Sequence, residues 1–221
     1  LTDVAGSGLL RLHGIVDTGP TTEGLAMLQR VINVALRPGQ EWPVIAQEAM
    51  STAGIYTKYI IPLSAIGPVC GFISGAIFGQ GIPFTGLSVR PAISTLLMMM
   101  VFAYVLGLIG VAVTAFITQK LAPTFKSQGG FVDALKIVTF SQAPYWVASV
   151  VTLIPILGML AILVAFYGLY LFYVGLPHVM KTPDDQRLPY MGVILVVSII
   201  IWFVLMGLPA MLVGGMMVVQ G

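Results

Sequence analysis

Forty-four consecutive residues, Ile137 to Met180, carry no Asp, Glu, Lys or Arg. As one helix rising about 1.5 Å per residue, the stretch would reach about 66 Å, twice the roughly 30 Å hydrocarbon core of a bilayer. It has to double back, and Ile154-Pro155-Ile156-Leu157-Gly158 supplies the Pro/Gly corner. Three further stretches are equally bare of charge: Tyr59 to Val89, Pro91 to Gln119 and Leu188 to Gly221. Their apolar cores lie at about 59–79, 93–117 and 190–213, and the folded-back stretch adds 137–154 and 157–179. Each is of membrane-crossing length. Charged residues make up 8% of the 221, against about 25% in soluble domains. No globule of this size has interior enough for the apolar remainder. Soluble enzymes, nucleic-acid binders and disordered chains are thereby excluded.

The few charges orient the spans. Arg11, Arg30, Arg37 and Lys58 precede the first; Lys120, Lys126 and Lys136 lie between the second and third; Lys181 and Arg187 lie between the fourth and fifth. All nine share one side of a five-span arrangement, and Arg90 alone falls on the other. The positive-inside rule then places the N-terminus in the cytoplasm and the C-terminus outside. Residues 1–54 form a cytoplasmic segment without an apolar signal core, so the first span is expected to act as an uncleaved signal. Residues 55–221 form the membrane domain. Within the N-terminal segment, Leu25, Leu28, Ile32, Ala35 and Leu36 recur at spacings that predict an amphipathic helix over 24–36, ended by Arg37-Pro38-Gly39. Such a helix suits the membrane interface or packs on the spans themselves. The expected fold is therefore an all-α five-span transmembrane bundle with an N-terminal amphipathic interfacial helix.

Inside the spans the chemistry is sparse. Gly67, Gly71, Gly75 and Gly79 recur every four residues in span one, a face that admits a close neighbour, either within the bundle or in a second copy. Ala103, Gly107 and Gly110, and Gly207, Ala210 and Gly214, repeat the pattern more weakly. Pro62, Pro68, Pro144, Pro177 and Pro209 are expected to kink their helices. No Asp, Glu, Lys or Arg lies at mid-depth, which disfavours proton coupling and voltage sensing. Ser94, Thr95, Thr114, Thr139, Ser141, Gln142, Ser149, Thr152 and Ser198 could line an uncharged pore, or bond to helix backbone. The single Cys70 sits among Gly and apolar residues and reads as inert; His178 reads as an interface residue, and Asp184-Asp185 as a solvated turn. No nucleophile, metal-ligand or nucleotide motif is present. No catalytic residue, cofactor, metal or nucleic-acid partner is expected. Phe131, Leu135 and Val138, opposite Asp133 and Lys136, predict that the approach to span three starts as a surface helix.

Two strings stand out together. Leu36-Arg37-Pro38-Gly39-Gln40-Glu41-Trp42-Pro43 precedes span one, and Tyr167-Gly168-Leu169-Tyr170-Leu171-Phe172-Tyr173-Val174-Gly175-Leu176-Pro177 lies in span four. With Leu121-Ala122-Pro123 between them, they resemble the bacterial branch of the Yip1 family of five-span membrane proteins, over roughly residues 25–213. The resemblance implies residence in the bacterial inner membrane. It links eukaryotic relatives to vesicle trafficking and small GTPases, although the chain has no long cytoplasmic stretch of the kind that binds them. It also singles out Glu41, Trp42 and Pro43, and Tyr167, Gly168, Tyr170, Gly175 and Pro177, as family-motif positions. Trp42 is expected to anchor at the interface while Pro43 redirects the chain toward span one. Gly168 and Gly175, seven apart, are expected to admit a close neighbour. The expected function is that of a scaffold, assembly factor or organiser packing against lipid, other membrane proteins or itself. The alternative is a small-solute channel or transporter lined by Ser, Thr and backbone freed at prolines.

Overall fold

The computed structural model describes residues 20–81 and 88–219. These run as α1 (Pro20–Leu36), α2 (Pro38–Gln47), α3 (Thr52–Phe78), β1 (Gln80–Gly81), β2 (Ser88–Val89), α4 (Ile93–Leu121), α5 (Phe131–Ala148), α6 (Gly158–Val179) and α7 (Asp184–Val219). Arg11 and Gly221 lie outside the described residues, and the Gly207, Ala210 and Gly214 face lies outside the described side chains.

The boundaries have local causes. Pro38 opens α2 directly after α1, at a helix position where its missing N–H is no loss. Ser51 caps α3 by accepting a hydrogen bond from the Gly54 N–H at 3.0 Å. Tyr56–Ile60 of α3 is a π turn in which the Ile61 N–H reaches back to the Tyr56 carbonyl. It lies just before Pro62, whose ring would strike the carbonyl four residues earlier in a regular helix; the wider turn relieves that clash. Gly79, at φ 78°, ends α3. Gln80 then pairs with Val89 and Gly81 with Ser88 in an antiparallel ladder. The all-α reading had no place for this ladder, because two-residue strands carry no periodicity to read. The corner of the long uncharged stretch is a 3₁₀ turn, Pro155–Leu157.

The core centres on α5. Ala134 to Ser141 is an unbroken buried run, with α4 and α6 on its flanks and α1 and α3 crossing it. The expected surface helix is thus wrong at Lys136, which is only 4% exposed. The N-terminal helices cover it, and sequence periodicity could not foresee that cover.

The outside is apolar. Leu97, Val101, Val105, Ile109, Val113 and Phe116 of α4 all face outward, as do Leu163 and Phe166 of α6 and Val196 and Ile200 of α7. Surface of this kind is stable against acyl chains rather than water. Two helical units, Thr52–Phe78 and Ile93–Phe125, are long and apolar enough to cross a bilayer.

Candidate functional site

The two family strings meet. Trp42 of α2 is fully buried and lies against Gly175 of α6, where a Cβ would come within 2.8 Å of the indole carbons Cε2 and Cζ2. Only glycine leaves room for that ring. Trp42 is therefore a core contact and not an interface anchor. Pro43 lies inside α2 rather than at a redirecting corner, and α2 as a whole carries the chain across α6.

Charge and hydrogen bonding fasten the same joint. Arg30 of α1 pairs with Glu41 at 3.2 Å and with Glu48 at 2.9 Å. Neither α1 nor α2 has a basic residue in its last turn to meet the free carbonyls there. The core supplies the donors instead. The Tyr167 hydroxyl donates to the Ala35 carbonyl at 2.6 Å, and Lys136 Nζ donates to the Glu48 carbonyl at 2.7 Å. Sequence reasoning missed Arg30, Glu48 and Lys136. The available signal was that they are charges in a chain nearly without them, but no spacing rule joins residues 88 positions apart.

The four glycines of α3 do not share one surface. A Cβ on Gly67 would meet the Ser149 hydroxyl at 3.3 Å, and one on Gly75 would meet Leu96 at 3.1 Å. Gly79 is the helix stop, and Gly71 is exposed with nothing within 4 Å. Gly168 lies against the Ser141 carbonyl of α5, 2.9 Å from where its Cβ would be. Gly168 and Gly175 thus each admit a close neighbour, though not the same one. Tyr170 is half exposed with its ring 5.5 Å from that of Tyr167. Pro177 lies in the last turn of α6, where the Leu176 carbonyl accepts from Met180 and Thr182.

The loops that follow α4 and α6 clasp each other. The Ser127 and Thr182 hydroxyls are 2.9 Å apart, the Gln128 N–H donates to the Met180 carbonyl at 2.7 Å, and Phe125 stacks on Tyr190. A Gln186 hydrogen bond at 2.8 Å, aided by Lys126, holds the Asp185 carboxyl below its ordinary range. Asp184 and Asp185 are solvent-facing, and among the described residues no three His, Cys, Asp or Glu gather as metal ligands. Between α4, α5, α6 and α7 lies a cavity of about 580 Å³ whose polar lining is Thr114, Ser141, Gln142, Tyr145, Thr152 and Ser198. Ala103, Gly107 and Gly110 form part of its wall.

The Yip1 domain family model matches residues 32–206. Over 189 residues the chain is 25% identical to the inner membrane protein YohC of Escherichia coli strain K12, and to the same degree to YohC of the O6:H1 strain; the match covers 80% of this chain and 92% of each relative. No solved structure matches.

Proposed function

The chain belongs to the Yip1 domain family, and from that premise we propose that it is a non-enzymatic organiser of the bacterial inner membrane, acting by packing against lipid and other membrane proteins. One observation carries the reading. Helix α1 is apolar on two sides: Val31 and Val34 are buried against the core, while Leu25, Leu28, Ile32 and Leu36 form an exposed stripe. The buried side, the Arg30 pairs and the Tyr167 bond hold that stripe rigidly outward. A fixed apolar stripe that ends beside the exposed Arg37 is suited to the membrane interface. The name of YohC, an inner membrane protein, supports the same location.

In this reading five helices, α3 to α7, cross the bilayer, with the N-terminus cytoplasmic and the C-terminus periplasmic. Support comes from the clasped loops: those bearing Lys126 and Lys181, with Arg187 in the first turn of α7, share one end with Lys136, while Arg90 sits at the opposite end of α4.

The test is a pair of measurements on full-length protein. Cross-linking in native membranes is expected to give a defined complex that the double substitution Leu28→Ser, Ile32→Ser abolishes while the bundle stays folded. Reconstituted liposomes are expected to show no solute-selective flux. The cavity, with its Ser and Thr lining, favours the channel or transporter reading, and selective flux would establish that reading in place of the organiser.

A further inference from the structure

The cavity between α4, α5, α6 and α7 has features of a binding site. Its volume of about 580 Å³ falls in the range of small-molecule pockets, about 300–1,000 Å³. Its lining is mostly apolar and, among the described residues, contains no Asp, Glu, Lys, Arg or His, so an ionised group placed there would go uncompensated. Ser141, only 3% exposed, is one of the wall residues, but its hydroxyl is sealed from this space. The Gln142 amide and the Thr114 and Ser198 hydroxyls line the same space. Gly107, near the middle of α4, is both part of the wall and exposed. The cavity therefore reaches the surface at mid-helix, where the neighbouring outward residues Val105 and Ile109 are apolar.

We propose that this cavity binds one uncharged, lipid-like molecule: an apolar body that enters from the acyl-chain region and carries a hydroxyl or carbonyl group. The oxygen of that group accepts from the Gln142 amide, and its body packs against the apolar wall. The proposal goes beyond the organiser reading and does not depend on it, since the site would exist whether or not α1 engages a partner.

The test uses purified full-length protein and a diazirine-bearing hexadecanol, with photoadducts mapped by mass spectrometry. Adducts are expected on the cavity-lining peptides of α4, α5 and α6, and excess unlabelled hexadecanol is expected to compete them away. Gln142→Leu is expected to weaken that competition about fivefold, the worth of one net hydrogen bond. Gly107→Leu, where a Cβ meets no atom within 4 Å, is expected to obstruct the opening and reduce the adducts while the protein still unfolds cooperatively at the wild-type temperature or above. Hexadecyl sulfonate, permanently charged, is expected to compete at least about tenfold less well than the alcohol. Adducts confined to outward faces, or unchanged in both variants, would overturn the site. Equal competition by the sulfonate would overturn the uncharged ligand class.

Discussion

At the scale of single residues the account turns on Trp42 and Gly175. Both are rigid, and a methyl group at Gly175 would sit 2.8 Å from the indole. Gly175→Ala is expected to destabilise the protein by about 1–3 kcal/mol, the cost of overpacking. Trp42→Ala is expected to cost about 3–5 kcal/mol. The informative measurement is the double mutant in a denaturation series. With the ring gone, the added methyl fills vacated space, so Gly175→Ala is expected to become nearly neutral, to within about 0.5 kcal/mol. Full additivity would mean that the two residues do not touch. Gly71 gives the opposite expectation: it faces outward with nothing near it, so Gly71→Leu is expected to leave monomer stability within about 0.5 kcal/mol. A larger loss in dilute detergent would place an unseen contact at that face.

At the scale of elements, α1 and α2 end on donors supplied by other helices. Lys136→Met leaves the Glu48 carbonyl without its donor and is expected to cost about 1–3 kcal/mol. Tyr167→Phe removes one bond to Ala35 and is expected to cost about 1 kcal/mol. Both changes are expected to speed tryptic cleavage after Arg30 while α3 to α7 stay intact; unchanged cleavage would detach these side chains from the α1–α2 joint. Much of the element layout was legible beforehand. Charge-free runs mark α3 to α7, the 3.6-residue pattern marks α1, and Arg37-Pro38-Gly39 marks its end. The role of α5 was not legible. Its Lys136 and Asp133 look solvated by periodicity, but burial of Lys136 is decided by elements far away in sequence. Likewise the strings around Trp42 and Gly175 could be recognised separately, and each glycine read as a site of close approach. That the approaching group is Trp42 depends on long-range packing that no local pattern encodes.

At the scale of the whole molecule, the chain has a central helix, an apolar exterior and an N-terminal pair of helices fastened by Trp42, Arg30, Tyr167 and Lys136. The organiser reading requires that this pair lie on the cytoplasmic side, where the loops with Lys126 and Lys181 also gather. It requires equally that five crossings carry the chain end to the other side. Matched fusions of a fluorescent protein and alkaline phosphatase, placed after Gly129 and after Gly221, test this most directly. The expected result is fluorescence without phosphatase activity at Gly129, and phosphatase activity without fluorescence at Gly221. Fluorescence at both positions would place the α4–α5 loop and Gly221 on one side of the membrane and contradict the five-span account.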